Sequence, residues 1–228
     1  MNQDQSSQGN FHDRITYGNL ESNLEFLDKC GVDFKNKKIL EIGSGIGSMT
    51  KYLLDKDYDV TGIDINEEYI KKARQIYGDE IPIIKVDSAK LPFDENSFDV
   101  AMSFDVFEHI PDSDEHLQEV SRALKSNGVY LLQTPNKYTN AVFETFRWRS
   151  LEWRKDHCAL HSYNEIIKRF NKNGFSVKFV DVPVVTDFFK EKIKAYMGKA
   201  GLKIIEYVNP DKFPDFLKTN FFVVTKKI

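Results

Sequence analysis

Short apolar runs alternate with amphipathic stretches along most of this chain, and this alternation limits its fold more than any other feature. The runs KKILEI, DVTGIDI, IPIIKV, FDVAMSF and GVYLLQT have the apolar composition of buried strands. Between them lie stretches such as EEYIKKARQIY and DEHLQEVSRALK, whose apolar residues recur at helical spacing. This pattern predicts an α/β fold with a mostly parallel sheet covered by helices on both faces. The late run TNFFVVTKKI predicts a further strand that closes the sheet edge.

Capping residues mark where three of the predicted helices begin. Asn66 precedes EEYIKKARQIY, and an Asn side chain at this position accepts from the unpaired N–H groups of the first turn. Asp112 and Ser162 are each followed three residues later by a glutamate, which is the outline of a capping box. These helices are expected to form the scaffold of the fold.

Composition excludes several classes of protein. The chain has 228 residues, 41% of them hydrophobic and 29% charged, which predicts one domain over 1–228 with a disordered leader over 1–10. A net charge of -3 gives no overall attraction to nucleic acid or to anionic lipid. Cys30 and Cys158 are too few for a disulfide framework and too far apart for a zinc knuckle. Since no apolar window reaches the length of a membrane span, we expect a cytoplasmic protein.

The stretch ILEIGSGIGSMT over 39–50 places glycines where the chain must turn sharply or pass close to a ligand. A dinucleotide fingerprint would have a third glycine at the position of Ser48, and no Lys-Ser or Lys-Thr pair follows as in a P-loop. Glu41 at the strand end would repel a pyrophosphate and attract a cation. The residues alone leave two interpretations open, a loop for a cationic ligand and a simple turn beside a solvated glutamate.

Carboxylates also follow the next two predicted strands. Asp64 comes about 20 residues after Gly43, the separation at which an acid at the second strand end accepts hydrogen bonds from ribose hydroxyls. Asp87, followed by Ser88 and Ala89, is suited to an exocyclic amine of a purine. Since ligands of open α/β sheets bind at the carboxyl ends of the strands, these residues predict a nucleoside site, with adenine as the expected base.

Five motifs in order along the chain resemble class I S-adenosylmethionine-dependent methyltransferases. They are EIGSGIG at 41–47, GID at 62–64, VDSAKLPF at 86–93, SFDVAMS at 97–103 and EHIPD at 108–112. The similarity extends from about 37 to 134, and HCALHSYNEII is similar to a later segment of many such enzymes. The resemblance implies a Rossmann-like fold with seven strands, a final antiparallel strand and a helical cap. It also implies S-adenosylmethionine as the cofactor.

The glycine stretch then corresponds to the family's cofactor loop, in which Glu41 faces a ligand that carries a sulfonium and an ammonium rather than phosphates. By the same resemblance Asp64 holds the ribose, Asp87 meets the adenine amine, and the backbone around Ser103 and Phe104 lines the methionine end. The implied cofactor-binding residues are Glu41, Gly43, Ser44, Gly45, Gly47, Asp64, Ile65, Asp87, Ser88, Ala89, Ser103 and Phe104.

His109 is the candidate catalytic residue. A hydroxyl acceptor needs a base, and an imidazole that follows the fourth strand is well placed to supply one; the alternative is that His109 supports the next helix. The segment Asp105-x-x-Glu108-His109 also resembles the metal ligands of the ubiquinone-biosynthesis O-methyltransferases, with Asp in place of their first Glu. Because the Glu-His pair is widespread among methyltransferases without a metal, we predict no metal site.

Two segments, 138–161 and 184–218, are more than the sheet requires and are predicted to form a cap. The first is rich in aromatic and basic residues, which is typical of a surface for an acidic or aromatic substrate, of an RNA-stacking surface, or of ordinary packing. The second combines an apolar series with lysines, as in a substrate lid, a dimer face or a membrane-surface helix.

The expected function is methyl transfer from S-adenosylmethionine to a small-molecule acceptor, at an oxygen atom. Alternatives are N- or C-methylation on the same scaffold, or a methyltransferase-like module that binds the cofactor without turnover. The expected partners are the small acceptor and a second copy in a homodimer, with no nucleic acid and no membrane span.

Overall fold

The computed structural model describes residues 20–88, 90–148, 151–155 and 157–228. The predicted leader over 1–10 lies outside these ranges, and so does Ala89.

Seven strands form one mixed sheet in the order β3-β2-β1-β4-β5-β7-β6. The strands are β1 Lys38–Ile42, β2 Asp59–Asp64, β3 Ile83–Lys85, β4 Phe98–Phe104, β5 Leu124–Pro135, β6 Phe175–Phe179 and β7 Asn220–Lys227. The first five are parallel, and β7 is antiparallel to both β5 and β6. The predicted Rossmann-like class I fold is therefore confirmed.

One expected strand position is wrong. The late strand β7 does not close the sheet edge, because it pairs with β5 on one side and with β6 on the other. Its run Phe221, Phe222 and Val223 is almost fully buried, and apolar residues on consecutive positions are typical of a strand that is covered on both faces. The edge is formed by β6, whose residues are partly exposed.

Helices cover the sheet on both faces, as predicted. They are α1 Leu20–Lys29, α2 Ser48–Leu54, α3 Glu67–Tyr77, α4 Ser113–Ala123, α5 Lys137–Trp148, α6 Tyr163–Lys172 and α7 Asp187–Tyr207. On one face, Leu117 of α4 and Phe170 of α6 join a fully buried core. On the other, Phe26 of α1 and Leu53 of α2 do so. Burial of each such side chain contributes about 1.5 to 3 kcal/mol to stability.

The predicted helix starts are where the capping residues placed them. The Asn66 side chain accepts from the Glu68 and Tyr69 N–H groups at the start of α3, and the Asp112 carboxylate accepts from the Glu115 N–H at 2.9 Å. A third helix, α6, follows Ser162, whose N–H donates to the Glu165 carboxylate at 2.7 Å.

The two cap segments contact each other. The Phe143 ring of α5 lies edge-on to Tyr196 of α7, with centroids 6.5 Å apart, and the Lys192 ammonium lies 5.1 Å from the Phe143 ring centre. A kink at Gly198, with φ 62° and ψ -157°, divides α7 at a position that favours glycine. In the described part of the chain, every helix is too short or too polar to cross a bilayer.

The order in which the strands are added to the sheet reverses its direction at β1. Strand β1 pairs with β2 on one side and with β4 on the other, so the crossovers from β1 to β2 and from β3 to β4 run to opposite sides. A crevice opens at the carboxyl ends of the strands at such a switch point. The residues that follow Ile42, Asp64 and Phe104 therefore meet at one place.

Candidate active site

A cleft of about 1120 Å³ opens at the carboxyl ends of β1, β2 and β4 and extends beneath the cap. Its lining brings together most of the predicted site, and the residues concerned are Glu41, Gly43, Ser44, Gly45, Asp64, Ile65, Asp87, Ser88, Phe104 and His109.

The glycine loop is fixed against β2. The Gly43 and Ser44 N–H groups both donate to the Ile63 carbonyl oxygen, at 2.8 and 2.9 Å. Gly43 has φ +73°, and a Cβ there would lie 2.2 Å from Val106 Cγ2, so another residue would be strained at this φ and would have to displace the Val106 side chain. Gly45 also has a positive φ, but a Cβ there would meet nothing within 4 Å. Gly43 thus serves close packing, whereas the open side of Gly45 leaves room for a ligand.

Asp64 ties the end of β2 to this loop. One carboxylate oxygen accepts from the Gly45 N–H at 2.8 Å, and the other accepts from the Asn66 N–H at 2.7 Å. A carboxylate has about four acceptor positions, so it retains capacity for two hydroxyl donors. Asp64 therefore has a structural role in addition to its predicted role toward ribose.

The segment with Asp87 and Ser88 lies beside the end of β2, since the Val86 N–H donates to the Asp64 carbonyl at 3.0 Å. Ile65 lines the same part of the cleft with 63% of its surface exposed. An exposed aliphatic side chain between two acidic positions offers an apolar surface for a planar base.

Gly47 and Ser103 are placed behind the cleft surface and not on it. A Cβ on Gly47 would lie 2.8 Å from Ile83 Cδ1, so this glycine lets α2 approach β3. The Ser103 side chain is fully buried, and its hydroxyl lies 2.7 Å from the Tyr130 hydroxyl. Both predicted cofactor residues therefore shape the cleft from behind.

Glu41 is a buried acid at the end of β1. It is 4% exposed, and the Thr50 hydroxyl donates to its carboxylate. Burial raises the pKa of Glu41 to about 8, the nearby Asp64 charge adds to the increase, and the Thr50 hydrogen bond opposes it. A carboxyl held in this way is protonated near neutral pH and becomes ionised when a cation binds beside it.

His109 ends a short 3-10 turn, Phe107–His109, with 43% of its side chain exposed to the cleft mouth. Its ring lies edge-on to His157, with centroids 5.0 Å apart, and its Nε2 is 3.9 Å from the Glu108 carboxylate. Glu108 is 1% exposed and accepts from the Thr134 hydroxyl at 3.0 Å. Burial, followed by the Asp105 charge, raises the pKa of Glu108 to about 8.

The side chains of Glu108, His109 and His157 offer ligand atoms within 4.8 Å of one another. One carboxylate and two imidazoles are acceptable ligands for a divalent ion. Asp105, the first acid of the sequence segment, is held elsewhere: its N–H donates to the Gln133 side-chain oxygen at 3.0 Å, and the Gln133 amide donates back at 2.9 Å. The structure thus gathers a different trio from the one that the sequence segment suggested.

From the sequence, His157 is only a weaker candidate base than His109. It lies almost 50 residues from His109 along the chain, and the two meet because the Ala159 N–H donates to the Glu108 carbonyl oxygen at 2.9 Å. No local signal marks this contact. Asn140 lies 2.9 Å from His157 Nδ1 and holds the ring in place.

The cleft fits a ligand with several polar groups. Among the described residues, buried side-chain atoms without a hydrogen-bond partner include Asn23 Oδ1, Ser44 Oγ, Ser48 Oγ and Thr219 Oγ1, and all four residues line the cleft. Buried polar atoms in native proteins are paired, so atoms left without protein partners around one cleft indicate ligand or water contacts. Together with the acidic Glu41 and Asp64, they fit a nucleoside ligand with a cationic group.

The cap supplies the outer wall of the cleft. Phe143 and Glu144 of α5 face Phe188, Phe189 and Lys192 of α7 across it. Aromatic rings with a few charged groups are typical of a pocket for a small organic molecule, so this compartment has room for a second reactant beside the nucleoside site.

Comparison with known proteins finds similarity to methyltransferases. Residues 40–132 match the family described as Methyltransferase domain. A sterol 4-C-methyltransferase of Caenorhabditis elegans is 31% identical over 175 residues, covering 69% of this chain and 52% of the relative. A ubiquinone biosynthesis O-methyltransferase of Pelagibacter ubique is 30% identical over 159 residues, covering 64% of this chain and 65% of the relative. The chain thus spans between half and two thirds of the length of these curated relatives.

The fold is similar to that of solved structures as well. An S-adenosylmethionine-dependent methyltransferase of Mesorhizobium loti superposes with a TM-score of 0.66 at 17% identity, covering 90% of this chain and 98% of the other.

Proposed function

We propose that this chain, whose residues 40–132 match the family described as Methyltransferase domain, is a class I S-adenosylmethionine-dependent methyltransferase that transfers the cofactor's methyl group to an oxygen atom of a small-molecule acceptor. The observation that carries the choice of oxygen is the exposed imidazole of His109 in the same cleft as the glycine loop. A hydroxyl must lose its proton to become a good nucleophile, and an imidazole is the side chain best suited to accept it near neutral pH.

In this proposal the residues at the strand ends hold the cofactor. Asp64 accepts from the two ribose hydroxyls, Asp87 and Ser88 contact the adenine edge, and Glu41 faces the cationic part of the ligand. The open side of Gly45 lets the backbone approach the nucleoside, and Phe104 borders the methionine end. The cofactor supplies an activated methyl group on a sulfonium, so the protein needs no covalent intermediate.

The chemical step requires alignment and one proton transfer. S-adenosylmethionine would supply the methyl group to the acceptor oxygen and would be released as the thioether S-adenosylhomocysteine. The hydroxyl proton moves to a ring nitrogen of His109 and then to water. Phe143, Phe188 and Phe189 hold the acceptor and exclude water, and this positioning accounts for much of the rate increase in such transfers.

We further propose that this activity needs no metal ion, takes place in the cytoplasm and does not involve nucleic acid, and that a homodimer is its assembly. The similarity to a ubiquinone biosynthesis O-methyltransferase supports oxygen as the acceptor atom. The sterol 4-C-methyltransferase supports carbon as the alternative.

The proposal is tested by incubating the protein with methyl-labelled S-adenosylmethionine and a panel of phenols, alcohols, amines and carbon acids. Label should appear in an O-methyl product of one hydroxylated compound, identified by mass spectrometry. Transfer to an amine or a carbon atom would contradict the choice of oxygen. Tight cofactor binding with no transfer to any class would support the non-catalytic alternative.

The buried Glu41 gives the cofactor affinity a specific pH dependence. Because its pKa is about 8 in the free protein, binding of a cation beside it releases a proton, so affinity should rise as pH rises toward 8. We expect the dissociation constant for S-adenosylmethionine to fall roughly tenfold between pH 6 and 7.5, measured by calorimetry in buffers of different ionisation enthalpy. Glu41→Gln should bind more weakly and without this proton release; a wild-type affinity independent of pH would show that Glu41 does not face the cation.

A further inference from the structure

The segment 86–93, which carries Asp87 and Ser88, is held by β2 at its start and by side chains of α4 beyond it. The Val86 N–H donates to the Asp64 carbonyl oxygen at the end of β2, and three residues of α4 spaced three apart reach the backbone that follows. The Glu119 carboxylate accepts from the Leu91 N–H at 3.0 Å. Arg122 donates to the Leu91 carbonyl at 2.9 Å and to the Phe93 carbonyl at 2.7 Å. These two side chains fix the far end of the segment.

His116 fixes the end that lines the cleft. Its ring is fully buried, with Nδ1 3.1 Å from the Ser88 carbonyl oxygen and Nε2 3.1 Å from the Tyr130 hydroxyl. The Tyr130 hydroxyl in turn lies 2.7 Å from the Ser103 hydroxyl. A buried chain of four groups therefore connects β4 and β5 in the centre of the sheet to the backbone of the segment at Ser88.

Only one pattern of protons satisfies this chain. A carbonyl oxygen only accepts, so His116 Nδ1 must carry a proton and donate it to Ser88. Nε2 of the neutral ring then accepts from the Tyr130 hydroxyl, whose oxygen accepts from Ser103. Burial lowers the pKa of His116 to about 4, which keeps the ring neutral and leaves Nε2 as an acceptor for the Tyr130 hydroxyl. Each group thus has one fixed role, and the position of the Ser88 carbonyl is tied to the core.

We infer that His116 is a positioning residue for recognition of the cofactor's base: it holds the Ser88 carbonyl so that the backbone of Asp87 and Ser88 is already in place for the exocyclic amine of adenine. This inference rests on the proposed assignment of Asp87 and Ser88 to the adenine edge. Without the tether, the segment must be ordered when the cofactor binds, and ordering even one residue costs enough entropy to weaken binding by about tenfold. The loss of binding free energy should come from contacts with the base, and contacts with the methionine end should be unaffected.

The test compares two ligands that differ only at the base. S-adenosylhomocysteine carries the exocyclic amine, whereas S-inosylhomocysteine has a carbonyl at that position. By calorimetry, the wild-type protein should prefer the adenine compound by roughly tenfold or more, since an unmatched donor or acceptor in the site is costly. His116→Phe, which keeps the ring and removes both hydrogen bonds, should weaken binding of the adenine compound about tenfold and bring the preference close to one.

Three further variants show whether His116 affects base preference by positioning Ser88 or only by stabilising the fold. His116→Asn retains an amide donor near the place of Nδ1 and should recover most of the preference. His161 is also a buried histidine, 5% exposed, but it pairs with Asn136 beyond the end of β5, so His161→Phe should leave the preference unchanged. Tyr130→Phe removes only the hydroxyl that donates to His116; it should lower the preference part of the way, and it provides the test if His116→Phe does not fold.

A base preference that survives in folded His116→Phe, or in Tyr130→Phe if the first variant is unfolded, would overturn the inference. A wild-type protein that binds both compounds equally would also overturn it. Failure of the wild-type protein to bind S-adenosylhomocysteine at all would instead show that the cofactor assignment itself is wrong, so the two failures are distinguishable.

Discussion

His109→Ala should lower kcat by about 10²- to 10⁴-fold for a hydroxylated acceptor, because the variant lacks the base that removes the hydroxyl proton. The dissociation constant for S-adenosylmethionine should change little, since in the proposed arrangement His109 faces the acceptor and not the cofactor. The measurement is steady-state kinetics beside calorimetry on the same preparation. Near-normal turnover would leave His109 as a structural residue, and catalysis would then rest on positioning alone.

Because His157 lies beside His109, variants of both residues show whether His109 acts as a base or as a metal ligand. If His109 acts as a base, the wild-type rate is unaffected by chelators, and His157→Ala, which removes only a neighbouring ring 5.0 Å away, costs much less than His109→Ala. If Glu108, His109 and His157 bind an ion, both histidine variants lose activity to a similar extent. Chelation would then abolish the wild-type rate, and a divalent ion would restore it.

Asp64→Ala should weaken cofactor binding by about 2 to 4 kcal/mol, or roughly 30- to 700-fold, because two ribose hydroxyls lose a charged acceptor. The Gly45 and Asn66 N–H groups lose theirs as well, which loosens the glycine loop. Asp64→Asn keeps an acceptor oxygen for one of these groups and should bind with intermediate affinity. Calorimetry with S-adenosylmethionine measures both variants.

Asp59 is a matched control for that experiment. It begins the same strand, β2, at the end remote from the cleft, so Asp59→Ala should leave cofactor affinity unchanged. Circular dichroism would confirm that all three variants are folded. Normal affinity in folded Asp64→Ala would mean that the end of β2 does not hold the ribose.

The parts of the fold that depend on local chemistry could be predicted from the sequence. The caps at Asn66 and Asp112 are side chain to backbone contacts within one turn, and the turn at Gly43 needs a residue without a Cβ. The order of the strands β5, β7 and β6 could not be derived from spacing, because both neighbours of β7 are distant in sequence. The run of apolar residues in β7 shows that this strand is buried, but it does not show which strands pair with it on either side.

The candidate site shows the same limit. Asp64 is the last residue of its strand, so strand prediction was enough to place it in the cleft. Whether Ser103 faces the cleft or the interior depends on its contact with Tyr130, and the meeting of His109 with His157 depends on one backbone hydrogen bond between Ala159 and Glu108. Contacts between distant segments leave no periodic signal in the sequence, and they decide which polar side chains reach the ligand.

The position of β7 between β5 and β6 also sets an order on folding during synthesis. β6, Phe175–Phe179, is made before β7, Asn220–Lys227, but its ladder partner in the sheet is β7. Until β7 emerges from the ribosome, β6 has no edge to join, and β5 presents an open edge of its own. Exposed strand edges pair readily with other chains, and closing such distant contacts is slow. The nascent chain therefore passes through a stage in which the α2 and β2 side of the sheet is able to form while the β5 edge is still open to association with other chains.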